Sequence, residues 1–230
     1  CVCACADCEE SNQIWASCSD IDIKAAGPPP KIKLLLSSLE KVFGKLKYHE
    51  KQFTNVGVRH TQHPDGSVET DQTEYLRAIS VISPELYSGK SGDSDCSQEL
   101  ITAFQSAVGA LGYGLITQQH MLVYVVSLQR QQHAPKVIHL RRANAIIRHL
   151  QKYPRTLRYE AMMCTRTLIC FSDSGFRKES EKGYGLRGAN FLREGQDSSG
   201  NTIFHLFDAQ CRSHRRVTRN TYSSELFACC

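Results

Sequence analysis

Residues 167–173, with the sequence T-L-I-C-F-S-D, decide the fold class of this chain. The run is apolar, has the length of a strand and ends in polar residues, so it predicts a buried β-strand. It follows Pro154, after which the spacing of apolar residues changes from a helical period of about 3.6 to a strand period of about 2. Glycines separate it from further predicted strands at 186–192 and 203–207, and a helix is predicted from Thr221. Strands followed by a helix are typical of an α/β or α+β fold.

The part of the chain before Pro154 is predicted to be mainly helical, because its apolar residues recur three and four positions apart. Helices are expected over residues 31–47, 97–116, 118–130 and 135–152. Between the first two, Pro64-Asp65-Gly66 is a strong turn signal and predicts a hairpin of strands at 56–58 and 67–70. A short helix capped by Asp71 or Thr73 is expected next, and a loop over residues 84–96.

The first 30 residues show no periodicity. Their end, G-P-P-P at 27–30, predicts a linker because three prolines continue neither a helix nor a sheet ladder. The spacing C-x-C-x-C-x-x-C at residues 1–8 allows a metal site, although no second half-site follows at a zinc-finger distance. A secreted disulfide framework fits poorly, because the cysteines number 11 and only Cys96 lies between Cys18 and Cys164.

Composition and targeting signals limit the class of protein. The 230 residues are 41% hydrophobic and 22% charged, enough to build a core and to exclude wholesale disorder. No apolar run approaches the ~20 residues of a membrane span, so no membrane partner is expected. The chain starts with Cys and shows no signal peptide, so it is interpreted as the edge of a fragment. An intracellular location, cytoplasm or nucleus rather than secretion, is expected.

Charge is distributed unevenly along the chain. Residues 1–115 carry 10 Lys/Arg and 15 Asp/Glu, a net charge of −5, whereas residues 116–230 carry 18 and 8, a net charge of +10. A basic half favours an anionic ligand, of which nucleic acid is the commonest large one. A solvated basic surface is the alternative.

Two carboxylates are candidates for metal binding. Asp173 stands at the polar end of the strand at 167–173, and Glu225 stands in the first turn of the helix predicted from Thr221. A strand Asp and a helix Glu that converge can hold Mg²⁺ for phosphodiester hydrolysis. The alternative is that Asp173 merely ends a strand and Glu225 offsets the dipole of a helix N-terminus.

A basic run lies between the third predicted strand and that helix. Its arginines can contact the phosphates of a nucleic-acid backbone, while the carboxylates hold cations. The predicted contacts are Arg212, Arg215, Arg216 and Arg219.

Five short motifs resemble, in the same order, those of copia-type retrotransposon polyproteins. Residues 171–176 (F-S-D-S-G-F) are similar to the Y-S-D-A-D-W strand of that family's RNase H domain, and residues 222–228 (Y-S-S-E-L-F-A) to its S-S-x-E-A-E-Y helix start. The upstream similarities are those of residues 104–113 to Y-R-x-x-V-G-x-L-x-Y, of 139–150 to H-x-x-A-x-x-x-x-R-Y-L, and of 53–58 with 71–75 to F-L-G-I and L-x-Q-x-x-Y.

The resemblance implies an order of domains. Residues 1–30 would be a disordered or degenerate remnant of the polymerase palm, and residues 31–160 the helical C-terminal segment of reverse transcriptase, covering the palm end, thumb and connection. Residues 161–230 would be an incomplete RNase H-like domain with a mixed sheet. Asp173 and Glu225 would then be catalytic Mg²⁺ ligands, and an RNA–DNA hybrid or another nucleic acid the partner.

The chain also departs from the family pattern. Residues 18–24 (C-S-D-I-D-I-K) resemble the polymerase V-D-D-x-K motif, but Ile21 stands at the first of the paired aspartates and cannot bind a metal. Gly175 replaces the second acidic residue of D-A-D-W, and the family's third metal-binding Asp would follow after further sequence. Polymerase activity is therefore not expected and RNase H activity is expected to be impaired. The alternative function is a non-catalytic remnant that binds nucleic acid through its basic half.

Overall fold

The computed structural model describes residues 15–19, 22–175 and 185–213. Within these ranges the chain mixes five α-helices with nine strands in antiparallel sheets, which confirms the prediction of a fold with both α and β elements. Among the described residues, no helix combines the length and the apolar character that crossing a membrane requires.

The chain divides into two compact units. Among the described residues, the first unit comprises those up to Gln72 together with Thr156–Thr167 and Glu194–His205. The second unit comprises the described residues of Thr73–Arg155 and Leu168–Arg193 and those from Leu206 onward. Each unit is assembled from separated stretches of chain, whereas the sequence analysis divides the chain into consecutive segments.

In the first unit, the first described element is a hairpin that no pattern in the sequence predicts. β1 (Trp15–Ser19) pairs antiparallel with β2 (Asp22–Ala26), so that Trp15 lies opposite Ala26 and Ser19 opposite Asp22. Ala, Ser and Cys fill most of β1, and these small residues give no apolar alternation from which a strand could be recognised.

The first helix, α1 (Pro29–Phe43), corrects the prediction of a linker through residue 30. Pro28 precedes the helix, and Pro29 and Pro30 lie in its first turn. Proline is tolerated there because the missing N–H has no intrahelical acceptor in any case. The helix ends before the predicted residue 47, at Gly44, where φ is 81° and the N–H donates to the Glu40 carbonyl at 2.9 Å.

The predicted hairpin is confirmed as part of a four-stranded antiparallel sheet. The strands lie in the order β3 (Gln52–Asn55), β4 (Val58–Gln62), β5 (Val68–Asp71) and β6 (Leu157–Tyr159). In the turn between β4 and β5, the Asp65 carboxylate accepts hydrogen bonds from the Ser67 N–H at 2.9 Å and from the Ser67 hydroxyl at 2.6 Å. The side chain of an Asp in this position stabilises the turn, as the sequence suggested.

Val56 is not in a strand, and its assignment to one is wrong. Val56 and Gly57 connect β3 to β4, with φ values of 47° and 70°. Two-residue hairpin turns with two positive φ values favour Asn-Gly, and a β-branched residue with positive φ is strained. Valine therefore conceals the turn from a sequence pattern, because it is typical of strands.

A cross-strand aromatic pair joins the edge strand β3 to β4. His60 of β4 lies opposite Phe53 of β3, and the two rings stack with centroids 4.9 Å apart and planes within 8°. The Lys24 ammonium lies 3.4 Å from His60 Nε2. Burial, and then the positive charge of Lys24, lower the pKa of His60 from 6.5 to about 4.

We expect the first unit to lose stability in mild acid because of His60. A lowered pKa means that the unfolded chain binds the proton more readily, so this contribution is fully present above pH 6.5 and is lost as the pH falls from 6.5 to about 4. His60→Phe keeps the ring stack and removes the titration, so its stability should depend much less on pH in this window. Urea unfolding followed by emission of Trp15, the single tryptophan, measures this. An unchanged pH dependence in the Phe variant would contradict the assignment to His60.

The second unit is built on helices. They are α2 (Thr73–Ala78), α3 (Gln98–Gly114), α4 (Leu122–Gln129) and α5 (Val137–Lys152), with short 3₁₀ turns at Pro84–Tyr87 and Gln119–Met121. The helices agree with the predicted ranges to within a few residues. The Ser97 hydroxyl caps α3 by accepting a hydrogen bond from the Leu100 N–H. Fully buried side chains from all four helices form its core: Leu76, Phe104, Val108, Leu111, Val125, Leu140 and Ile147.

One polar side chain connects this core to the segment after α2. Asn144 of α5 is 1% exposed. Its Oδ1 accepts from the Ile82 N–H at 2.8 Å, and its Nδ2 donates to the Ile82 carbonyl at 2.6 Å and to the Tyr87 hydroxyl at 2.9 Å. The amide therefore satisfies three buried polar groups, two at Ile82 and one at Tyr87, which lies in the loop predicted over residues 84–96.

The last sheet contains three long strands in the order β7 (Cys164–Ser174), β8 (Leu186–Gln196) and β9 (Thr202–Ser213). The three predicted strands are confirmed and are longer than expected. The burial predicted for residues 167–173 is wrong, because Leu168 and Phe171 are 69% and 61% exposed. An apolar sequence favours a strand, but a strand is buried only where another layer packs on it.

Candidate nucleic-acid interface

Asp173, the predicted metal ligand, is the last residue but one of β7 and is exposed to solvent. Its Oδ1 accepts a hydrogen bond from the Ser174 N–H at 2.7 Å. The carboxylate therefore lies at the end of a strand, where the sequence analysis places it.

Arg212 is the last residue but one of β9 and is also exposed. β7 and β9 flank β8 and run in the same direction, so both finish at the same end of the sheet. At this end the Gly175 N–H donates to the Leu186 carbonyl at 2.8 Å. Two strand spacings separate the two outer backbones by about 10 Å. One carboxylate and one guanidinium are thus placed at a single sheet end.

The other predicted site residues lie outside the described residues. These are Glu225, Arg215, Arg216 and Arg219, together with the cysteines at residues 1–8. Within the described ranges, no group of three or more His, Cys, Asp and Glu side chains could hold a metal ion. Two-metal hydrolysis needs several carboxylates. Asp173 is the single predicted ligand among the described residues, so these residues alone do not complete a two-metal site.

A basic surface with more cations than the sheet end at Arg212 lies on α5, and it is not among the predicted sites. Arg141, Arg142, Arg148 and Lys152 are all exposed, and we call these four cations the α5 basic face. The exposed His149 lies among them. The opposite side of the helix is buried in the core, and α5 contains no Asp or Glu. The helix therefore presents positive charge without a neutralising partner on its own surface.

The spacing of these residues extends the charge along the helix. Arg141, Arg148 and Lys152 lie seven and four residues apart, which brings them to one side of the helix. At a rise of 1.5 Å per residue they span about 16 Å. The Arg141 guanidinium donates to the Lys90 carbonyl at 2.8 Å, which fixes one end of the row. A row of this length reaches two or three successive phosphates of a nucleic-acid strand, which lie roughly 6–7 Å apart along the strand.

Two histidines report the positive field around the helix. Burial lowers the pKa of His120, and the positive charges of Arg155 and His149 lower it further. Burial likewise lowers the pKa of His139, followed by the charges of Arg142 and Lys136. Each histidine is held in its neutral form partly by cations, so a bound anion would raise both pKa values.

The sequence contains a signal for the α5 basic face, although the net charges of the two halves of the chain do not show it. Between Glu99 and Glu160 the chain has no acidic residue. The same stretch contains eight basic residues: Arg130, Lys136, Arg141, Arg142, Arg148, Lys152, Arg155 and Arg158. An acid-free stretch that includes an amphipathic helix predicts a basic helical face.

Comparisons of the chain with protein-family models, with curated proteins and with solved structures found no match. Function is therefore inferred from the geometry and charge of the described residues, together with the five motifs.

Proposed function

We propose that this chain is a segment of a copia-type retrotransposon polyprotein, joining the C-terminal part of reverse transcriptase to an RNase H-like domain, and that it binds nucleic acid through its second unit. The observation that carries the binding proposal is the α5 basic face, four exposed cations on a helix without acidic residues. Cations along a helix that carries no acidic residue match the charge of a phosphate backbone.

The order of elements supports the proposed lineage. The motif at 104–113 lies in α3, and the motif at 139–150 lies in α5. Downstream, Asp173 ends the first strand of a three-stranded antiparallel meander. Helices followed by strands, with a carboxylate at a strand end, are the order of elements that the resemblance implies, although the described strands form an antiparallel sheet and not the mixed sheet expected.

The chemistry of the α5 basic face indicates how the ligand is bound. Guanidinium and ammonium groups on one side of a helix contact phosphate oxygens, and such contacts carry no sequence information. Binding should therefore depend on the backbone of the ligand rather than on its base sequence. An RNA–DNA hybrid is the ligand that the family resemblance favours.

Salt dependence of hybrid binding tests the proposal. A fluorescently labelled hybrid of about 20 base pairs is titrated with the full chain between 50 mM and 200 mM salt. Four phosphate contacts predict a slope of log K against log salt of about −3 to −4, a loss of roughly 100-fold over this range. Two hybrids of unrelated sequence should bind alike. Binding that is absent at 50 mM salt, or insensitive to salt, would contradict the proposal.

Asp173 is expected to act in cleavage and not in binding. Asp173→Asn removes a negative charge from the sheet end, so hybrid affinity without Mg²⁺ should stay within about twofold of the parent chain. Any Mg²⁺-dependent hydrolysis of the RNA strand should be lost, because a neutral amide is a poor ligand for this ion. Gel analysis of the labelled RNA strand measures this, with Asp197→Asn, in the β8–β9 turn, as a matched control. Hydrolysis that survives Asp173→Asn would overturn the role of Asp173.

A non-catalytic nucleic-acid-binding remnant is the second candidate function. It is favoured by the departures of the sequence from the family pattern, Ile21 and Gly175 above all. Both candidates predict the same salt-dependent binding. They differ in cleavage, since the remnant binds the hybrid and leaves its RNA strand intact in Mg²⁺.

A further inference from the structure

The C-terminal end of α5 carries an exposed aromatic side chain. Tyr153 directly follows the helix, and 53% of its surface is exposed. Its N–H donates to the His149 carbonyl at 2.8 Å, which completes the last turn. Pro154 cannot continue the helix because it has no N–H. The backbone that carries the ring is therefore fixed at the helix end.

Lys152 and His149 contact this ring. The Lys152 ammonium lies 5.1 Å from the centroid of the Tyr153 ring. The His149 ring lies 5.4 Å away at an angle of 51°. Arg155, two residues further on, is exposed. An exposed aromatic ring with a cation over it, followed two residues later by an exposed arginine, suits a base with its flanking phosphates.

A buried glutamine holds the segment after the ring in place. Gln118 is fully buried, and its Nε2 donates to the Arg155 carbonyl at 2.7 Å. Its Oε1 accepts from the Arg155 N–H at 3.1 Å. The backbone on both sides of Tyr153 is thus tied to the core of the second unit.

We propose that Tyr153 stacks on an unpaired base of a single-stranded nucleic-acid segment, while Lys152 and Arg155 bind the flanking phosphates. The inference rests on the proposed function, since it extends the ligand from the α5 basic face past the end of the helix. Bases inside a duplex have both faces covered by their neighbours, so only an unpaired base can lie against the ring. The preferred ligand is therefore a duplex with a single-stranded tail.

Tail preference tests this inference apart from the proposed function. The full chain is titrated with three hybrids closed by a hairpin: one without a tail, one with a four-nucleotide tail, and one with an abasic tail of equal length. We expect the natural tail to raise affinity about 10-fold over the tailless hybrid, because base stacking on an aromatic side chain has effects of this size. The abasic tail keeps the phosphates and removes the bases, so its gain in affinity over the tailless hybrid should be much smaller.

The variants Tyr153→Leu and Tyr153→Trp distinguish stacking on an aromatic ring from contact with any apolar side chain. Leu should abolish the preference for the natural tail and leave binding of the tailless hybrid unchanged, whereas Trp should keep the preference. Equal affinity for natural and abasic tails, or a preference that survives Tyr153→Leu, would overturn the inference. Failure of the proposed function would differ, since the tailless hybrid would then not bind in a salt-dependent manner.

Discussion

Neutralising three cations of α5 should weaken hybrid binding by about 100-fold or more at 0.1 M salt. The triple variant Arg142→Gln, Arg148→Gln and Lys152→Gln removes three of the four positive charges of the α5 basic face. Each lost phosphate contact lowers the salt slope by about 0.9, so the slope should fall from about −3.6 to about −0.9. Glutamine keeps the helix propensity of the replaced residues, so circular dichroism and the unfolding midpoint should change little.

A matched variant separates the α5 basic face from net charge. Lys33, Lys41 and Lys45 are exposed and belong to the first unit, and their replacement by Gln changes the net charge by the same amount. This control should reduce affinity by less than about threefold, through weaker long-range attraction alone. Equal losses in the two triple variants would show that the chain attracts nucleic acid through overall charge, and the α5 basic face would lose its assignment.

Asn144→Leu should destabilise the second unit by about 3–5 kcal/mol. The replacement has nearly the same volume, but it leaves the Ile82 N–H, the Ile82 carbonyl and the Tyr87 hydroxyl without their partner. Each buried polar group left unsatisfied costs about 1–3 kcal/mol. In a chain of this size the thermal midpoint should fall by roughly 10 °C. Urea unfolding followed by circular dichroism, which is dominated by the helices, measures the change in the free energy of unfolding.

Two further variants locate the effect of Asn144. Tyr87→Phe removes one of the three hydrogen bonds and should cost about 1 kcal/mol. Ala145→Gln changes the neighbouring exposed residue of α5 and should stay within about 0.5 kcal/mol of the parent chain. If Asn144→Leu were no more destabilising than Ala145→Gln, the segment containing Ile82 would not be held to α5 by this amide.

Local sequence patterns predict the elements whose secondary structure depends mainly on their own residues. The apolar spacing of α3 and α5 predicts both helices, and the turn residues around Asp65 predict the hairpin of β4 and β5. Each of these elements buries one face, so its apolar residues recur with the period of a helix or of a strand.

Other elements depend on contacts that no local pattern contains. β6 has three residues and is held as a strand by pairing with β5, which is distant in sequence. Pro29 and Pro30 are compatible with α1 because they are its first two residues, where a proline does not interrupt the helix. The start of the helix, and not the prolines alone, decides whether they belong to it. The exposure of Leu168 and Phe171 depends on which layers cover β7, which their apolar character does not encode.

In the candidate site, too, some features follow from the local sequence and others depend on the folded structure. The place of Asp173 at a strand end follows from the residues around it, and the structure agrees. The α5 basic face does not follow from the net charges of the two halves of the chain, because a net charge over about 115 residues does not show which face of a helix carries the cations. Tyr153 carries no sequence signal of its own, since its exposure and its neighbours His149 and Lys152 become evident only in the structure.

The pairing of β5 with β6 has a consequence for the order in which the nascent chain folds. During synthesis, β3, β4 and β5 leave the ribosome before the helices of Thr73–Arg155, and β6 emerges only after them. Until then the β5 edge has no partner from Leu157–Tyr159, and an open strand edge invites pairing with other chains. The helical stretch is continuous in sequence and rich in local contacts, which favours early folding. Ribosome pausing within α5 would therefore prolong the interval in which the first unit is open to misassembly.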